Sequence, residues 1–362
     1  MKICLISVEI FAWGKYGGFG RSTRMIGREL ARRGVEVTAV VPRRADQKPV
    51  EVLDGIRVLG FDSRRPFSAL KLFREVDADI YHSQEPSFGT YLAKRAMPDR
   101  KHVVTFRDTR DLHDWWIEFI YPSLNYGQVL ANFFYEDNFL VHNAVRSADR
   151  WFTAAKMLIP KARKKYRLAG DPQFLASPIP FAETVQKSER PSVCFVARLD
   201  RRKRPHIFFE LARQFPEVQF LAIGAGRDTG LERVLKDKYG YLPNLNIRGF
   251  VDQFDGTELM DILGKSWVMV NTSAREGLPT TFVEATGHGC AILSEIDPDG
   301  FASNFGYHVK DKDFAQGLRY LLEGDRWRGL GNLGKEYVHS VFGVDRSIQL
   351  HLDEYRRLLA ND

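Results

Sequence analysis

Apolar and polar positions alternate in blocks along this chain. Residues 2–8, Lys-Ile-Cys-Leu-Ile-Ser-Val, form an apolar run rich in β-branched residues, the pattern of a strand covered on both faces in a parallel sheet. Glu9 to Gly20 follows as a loop holding Gly14, Gly17, Gly18 and Gly20, after which Met25, Ile26, Glu29, Leu30 and Ala31 recur at helical spacing up to Gly34. The next apolar run, Val35 to Val41, closes at Pro42. Strand, glycine loop, helix and strand make a βαβ unit, and such units build doubly wound sheets. Further strands are expected at residues 56–59, 80–81, 103–106, 151–154 and 173–175, with helical stretches between them.

From Pro178 to Pro191 the composition turns to Pro, Ser, Thr and charged residues with neither period, as in a linker. A second α/β set begins at once. Residues 192–197 read as strand, 206–214 as helix, and 219–223 as a strand ending in Gly224-Ala225-Gly226; strands at 245–247, 268–270 and 291–294 follow, and residues 347–359 are helical. No 20–50-residue repeat is present, which excludes solenoids and arrays. The expected organisation is a first domain over residues 1–180, a linker over 181–190, a second domain over 191–340 and a closing helix within 341–362.

A length of 362 residues suits about two domains, and 44% hydrophobic with 27% charged residues is an ordinary globular composition that excludes disorder. No apolar run approaches the ~18 residues of a membrane span, and Glu9 cuts the first one short without a cleavage pattern, so a cytoplasmic protein is expected. Cys4, Cys194 and Cys290 are too few and too far apart for a disulfide framework or a zinc site and read as reduced core thiols. The net charge of +7 is uneven: residues 1–180 carry 29 Lys/Arg against 20 Asp/Glu, residues 181–362 carry 24 against 26. The first half is either well solvated or meets an anionic partner.

Three stretches carry candidate chemistry. Gly17-Gly18-Phe19-Gly20, between strand and helix, suits backbone N–H groups closing on a phosphate, although a tight turn alone also needs glycine and neither a Rossmann fingerprint nor a Walker A loop is present. Arg198-Leu199-Asp200-Arg201-Arg202-Lys203-Arg204 follows directly on the second domain's first strand, where open α/β sheets place ligands; Arg198 and Lys203 can both reach a diphosphate, and a merely solvated loop is the alternative. In Glu276-Gly277-Leu278-Pro279-Thr280-Thr281-Phe282-Val283-Glu284, two carboxylates stand eight positions apart. Glu276 is expected on a loop, and Glu284 in the first turn of a helix that Thr280 or Thr281 caps. Carboxylates accept from sugar hydroxyls, while Glu284 alone also fits helix-dipole stabilisation.

Together with Asp79-Ile80-Tyr81-His82, Val103-Val104-Thr105-Phe106, Ser177-Pro178-Ile179-Pro180, Gly224-Ala225-Gly226 and Gly249-Phe250-Val251, these stretches run in one order over nearly the whole chain. In that order the chain resembles the retaining glycosyltransferases of family 4, with the GT-B fold of two Rossmann-like domains facing across a cleft. The resemblance implies the following roles. Arg198 and Lys203 neutralise the diphosphate of a UDP-, GDP- or ADP-sugar, aided by Gly17 and Gly18 amides and by the backbone of Gly277, Leu278, Pro279 and Thr280. Glu276 holds hydroxyls of the transferred sugar, Glu284 the ribose, and backbone near Val251 the base. It also implies that the closing helix returns to the first domain. Growing charge on the departing diphosphate needs preorganised cations, which Arg198 and Lys203 supply, so neither metal nor cofactor is expected.

One position departs from the family. Many relatives carry histidine where this chain has Arg107, and an arginine cannot act as a general base. Proton acceptance then falls to Asp108, His113 or a donor phosphate oxygen, with His82, Arg107 and His113 expected on the acceptor side; a structural histidine is the plain alternative at 82 and 113. Arg21, Arg24, Arg28 and Arg32 share a helical face, Lys161, Arg163, Lys164, Lys165 and Arg167 form a second basic cluster, and Trp115, Trp116, Phe119 and Tyr121 an aromatic stretch. Such a pattern fits a lipid-linked acceptor reached from an anionic membrane surface, with a soluble glycan or small-molecule acceptor as its rival and a core or cleft-wall place as the plain alternative for the Trp pair. A nucleic-acid partner is disfavoured, since no nucleic-acid module is present. A nucleotide-sugar epimerase and a non-catalytic nucleotide-sugar binder are the alternative functions.

Overall fold

The opening apolar run forms β1 (Lys2–Ile6), with four of its five residues buried, in a computed structural model that describes residues 1–14, 16–44, 46–122, 125–226, 229–254 and 256–360. Burial on both faces is what an unbroken Ile-Cys-Leu-Ile sequence allows, and β1 accordingly lies inside an eight-stranded sheet. Its other strands are β2 (Glu36–Pro42), β3 (Val50–Leu53), β4 (Ile56–Phe61), β5 (Ile80–Ser83), β6 (Lys101–Phe106), β7 (Arg150–Thr153) and β8 (Gln173–Phe174), in the spatial order β3-β4-β2-β1-β5-β6-β7-β8. A second sheet holds β9 (Ser192–Val196), β10 (Gln219–Ile223), β11 (Leu245–Gly249), β12 (Val268–Asn271), β13 (Ala291–Ser294) and β14 (Gly306–His308), in the order β11-β10-β9-β12-β13-β14. Strand pairs in both sheets are parallel except β3 with β4. Both are Rossmann-like α/β sheets.

Two strands lie outside the sequence expectation. β3 escapes it because Val50 and Val52 are exposed, so no buried run marks the strand. The signal for it is the turn: Asp54 and Gly55 both have positive φ, 52° and 83°, the conformation in which Asp-Gly closes an antiparallel hairpin. β14 has only three residues and is held by parallel pairing of Ile292, Leu293 and Ser294 with Gly306, Tyr307 and His308.

The chain divides into two units. Unit 1 comprises Met1–Asp111, Gly127–Ile179 and Phe342–Asp362, and unit 2 comprises Leu112–Tyr126 and Pro180–Val341. The contiguous first domain expected over 1–180 is thus interrupted: a helix rich in tryptophan, Leu112–Ile120, belongs to unit 2. Charge pairs described below hold it there. The expected linker over 181–190 contains neither helix nor strand, but it is pinned to unit 2. The Phe181 ring stacks on His339 at 4.3 Å, and the Lys187 ammonium donates to the Ser266 carbonyl.

The C-terminal helix Val344–Ala360 closes the core of unit 1, where Ile348, Leu352 and Tyr355 pack with Ile3, Leu5 and Ile26. The core of unit 2 is aromatic, with Phe195, Phe208, Phe209 and Phe220 buried between sheet and helices and Trp327 stacked on Trp267 at 4.5 Å. Cys4, Cys194 and Cys290 are all free and buried.

Candidate active site

In unit 2 the chain goes from β9 outward to β10 and β11, then crosses back to β12 on the other side of β9. The loops after β9 and β12 therefore leave the sheet on either side of a switch point, the place where open α/β sheets bind ligands. Arg198 and Lys203 follow β9, and Glu276 follows β12. The structure brings two of these sequence-predicted residues into contact: the Lys203 ammonium donates to Glu276 Oε1, and the Ser273 hydroxyl donates to the same oxygen at 2.8 Å. Both side chains are largely buried, at 13% and 15% exposure. Arg198 stands in the same loop, 31% exposed, with Nε 3.4 Å from the buried Asp200 carboxylate.

The β9 loop is fixed from within. Asp200 accepts from the Lys203 amide at 3.0 Å and so caps the short turn Arg201–Lys203. Arg204 then takes the left-handed conformation, φ 47°, which is strained for a side-chain-bearing residue. Its guanidinium offsets that strain by donating to the carbonyls of Thr272 and Ser273 at 2.6 and 3.2 Å and to Glu295 at 2.5 Å. The Ala274 amide also donates to the Arg202 carbonyl at 2.9 Å, so the loops after β9 and β12 are joined backbone to side chain and backbone to backbone. Beside them, Gly224 donates to the Gly249 carbonyl at 2.7 Å, and Gly249 leads through Phe250 to the buried Val251.

Past Glu276, the Gly277-Leu278-Pro279 segment leads into the helix Thr280–Gly287. Neither Thr280 nor Thr281 caps it: Pro279 occupies the N-cap, and no side chain bonds the first turn. Because the helix starts at Thr280, Glu284 falls in its second turn and not in its first. Without a side-chain cap or an acidic residue in that turn, the positive end of the helix is left uncompensated directly after the Glu276 loop. Glu284 itself is 2% exposed, and its carbonyl accepts from His288 Nδ1 at 2.7 Å.

Unit 1 has its own switch point, between β1 and β5. The first helix, Gly18–Arg32, has Gly17 as its N-cap, and the Gly20 amide donates to Glu9 Oε1 at 3.3 Å. A Cβ at Gly17 would meet the end of the Glu9 side chain, so a larger residue there would have to displace that carboxylate. An internal carboxylate therefore lies against the glycine loop where a phosphate was expected. The basic face expected on this helix is largely consumed. Arg21 is buried, Arg24 pairs with Asp54 at 2.7 Å, Arg28 pairs with Glu29 at 3.2 Å, and Arg32 alone of the four is exposed beyond half.

His82 lies fully buried in β5, with Nδ1 2.6 Å from the Tyr355 hydroxyl and Nε2 2.7 Å from that of Thr105. Burial, with His351 and Arg107 nearby, holds it well below the usual histidine range. Arg107 is also buried, and its guanidinium donates to Ser177 Oγ at 2.6 Å and Gln84 Oε1 at 2.5 Å. Burial pushes it down to about 10, still a cation at neutral pH. Asp108 is partly exposed and accepts from Arg110 Nε at 3.2 Å; His113 is exposed on the Leu112–Ile120 helix of unit 2.

Sequence reasoning passed over Glu85. It stands at the end of β5, buried, and its Oε2 accepts from the amides of Arg107 at 2.5 Å and Asp108 at 3.1 Å. Burial pushes it up to about 8, against the help of those two amides. The signal available was its place directly after a short buried strand at the switch point. With a folded-state value above the unfolded 4.5, the folded chain holds the extra proton, so this contribution to stability is complete below pH 4.5 and is lost as pH rises through about 8. Urea unfolding at pH 5.5 and 8.5 is expected to show wild type losing about 1–3 kcal/mol over that interval. Glu85→Gln should lose little; equal losses would refute the assignment. His102 and His351, both pushed down to about 4 by burial, act at the opposite end, where stability falls as pH drops from 6.5 to 4.

A family model described as glycosyl transferases group 1 matches residues 179–328, and one described as glycosyltransferase family 4 matches residues 16–166. No curated protein sequence matches the chain. Among solved structures, sucrose-phosphate synthase from Thermosynechococcus elongatus is similar with a TM-score of 0.74 and 18% identity, covering 100% of both chains. The Anabaena protein HepE, solved with UDP, has a TM-score of 0.72 and 14% identity over 99% of this chain and 100% of its own. The pneumococcal O-GlcNAc transferase GtfA, solved with UDP and GlcNAc, has a TM-score of 0.72 and 10% identity over 99% of each chain. With one glycosyltransferase model on each half of the sequence and two Rossmann-like sheets beneath them, the chain is a GT-B glycosyltransferase of family 4.

Proposed function

We propose that the protein moves a hexosyl group from a nucleoside diphosphate sugar to an acceptor hydroxyl with retention of anomeric configuration and without a metal, residues 191–340 taking the donor. The observation that carries this reading is the meeting of Lys203 and Glu276 at the switch point of unit 2, with Arg198 beside them and an uncapped helix end following. In the reaction the anomeric C–O bond to the diphosphate breaks, a bond to the acceptor oxygen forms, and the acceptor proton passes to Asp108 or to the departing phosphate. Lys203 and Arg198 offset the charge that grows on that phosphate, and the backbone of Gly277, Leu278, Pro279 and Thr280 aligns the helix dipole with it. Glu276 holds sugar hydroxyls, Glu284 the ribose, and the chain at Val251 the base. His82, with both ring nitrogens engaged inside unit 1, and Arg107, with its two terminal guanidinium nitrogens held by Ser177 and Gln84, shape the acceptor side without exchanging protons.

The solved complexes of HepE with UDP and of GtfA with UDP and GlcNAc support a nucleotide donor. Retention rests on the family 4 likeness. For the acceptor we favour a lipid-linked glycan: Leu130, Phe134, Phe139 and Leu140 of unit 1 are exposed, as are Arg163, Lys164 and Arg167, a combination that suits an anionic membrane surface. No helix among the described residues is long and apolar enough to cross a membrane. Calorimetric titration with UDP, GDP, ADP and their glucose conjugates, with EDTA present, tests the donor reading. One sugar nucleotide is expected to bind with micromolar affinity; binding that appears only when a divalent cation replaces EDTA would overturn the metal-free part.

A further inference from the structure

Residues 112–126 lie in the first half of the sequence and yet belong to unit 2. On the helix Leu112–Ile120, Asp114 and Glu118 are four positions apart and so share one face, and both are buried. Arg275 Nε stands 2.8 Å from Asp114 Oδ1, with the two side chains 8% and 9% exposed. Arg202 donates to Glu118 Oε2 at 2.6 Å, at 11% and 6% exposure. Each arginine immediately precedes a residue of the candidate site: Arg202 precedes Lys203, and Arg275 precedes Glu276. Alternate residues of each loop thus face opposite ways, one toward the helix and the next toward the Lys203–Glu276 pair. Desolvating four charges is costly, and breaking either pair would leave an uncompensated buried charge.

We propose that Arg202 and Arg275 are positioning residues of the donor site, and that the helix Leu112–Ile120 is a strut which sets Lys203 through Glu118 and Glu276 through Asp114. This rests on the donor reading above. The two pairs act on different parts of the donor, because Lys203 meets the diphosphate and Glu276 the sugar. Their losses therefore separate by ligand, which a general loss of folding does not.

The test is calorimetry on the full chain with UDP, GDP and ADP and their glucose conjugates, using the matched pair that wild type binds best. Asp114→Asn is expected to weaken the sugar nucleotide about tenfold and to leave the plain diphosphate within about twofold. Glu118→Gln is expected to weaken both about tenfold. Asp114→Glu, which keeps a carboxylate in reach of Arg275, should recover most of the sugar-nucleotide affinity. Wild-type affinity in all variants, equal losses for both ligands in Asp114→Asn, or no recovery by Asp114→Glu would each overturn the inference while the donor reading stands. Failure of wild type to bind any of the six ligands would overturn the donor reading and the inference with it.

Discussion

Replacing Lys203 by methionine is expected to lower kcat/KM for the sugar nucleotide by about 10²–10³-fold, the range seen when one preorganised donor is removed from a developing anion. Two losses combine in this variant. The diphosphate forfeits a point charge that Arg198, half a loop away and drawn toward Asp200, does not replace. Glu276, only 15% exposed, also keeps its carboxylate with the Ser273 hydroxyl remaining on Oε1 but no cation. A carboxylate stranded in this way is costly and rearranges or takes up a proton. Glu276→Gln alone should therefore also destabilise the fold, whereas Lys203→Met combined with Glu276→Gln should be less destabilised than the two single effects added together. Steady-state kinetics and thermal unfolding of the three variants check both parts. Activity within tenfold of wild type in Lys203→Met would contradict the role given to this residue.

Gly224→Ala is expected to cost unit 2 about 2–6 kcal/mol and to remove donor binding. Its φ of 135° is a conformation that side chains rarely adopt, and a Cβ there would run into the carbonyl oxygen of Ala197. Both sides of that collision are backbone, so neither can rotate away. The strain passes to the two loops that Gly224 joins: Ala197 leads directly into Arg198, and the Gly224 amide is bonded to Gly249, two residues before Val251. Gly34→Ala is the control. Gly34 also has positive φ, 79°, but open space where the Cβ would go, so that substitution is expected to cost about 1 kcal/mol with no effect on ligands. Equal unfolding midpoints for the two variants would contradict the steric account.

Much of the fold is legible because parallel sheets announce themselves: β1, β2, β9, β10, β12 and β13 are short apolar runs with glycine or proline punctuation, and burial on both faces leaves them little choice of composition. β3 is not legible in this way, because it lies at the sheet edge with its valines in solvent and is specified by the Asp54-Gly55 turn. In the site, Lys203 and Glu276 could be singled out by chemistry and order along the chain, but their contact across 73 positions is a property of the switch point. The attachment of residues 112–126 to unit 2 was hidden for a different reason. It depends on which of many charges pair, and Asp114, Glu118, Arg202 and Arg275 look like any solvated residues until burial is known. The same holds for the arginines of the first helix, whose spacing suggests a basic face and whose partners Asp54 and Glu29 largely cancel it.

The central claim is that this chain transfers a sugar, and release of nucleoside diphosphate from the best-bound sugar nucleotide, followed with and without a lipid-linked glycan acceptor, tests it most directly. The account predicts slow release alone and a rate that rises and saturates with acceptor, accompanied by a product whose anomeric proton coupling matches that of the donor. Diphosphate release or sugar isomerisation that proceeds equally without any acceptor would contradict it and favour an epimerase on the same fold.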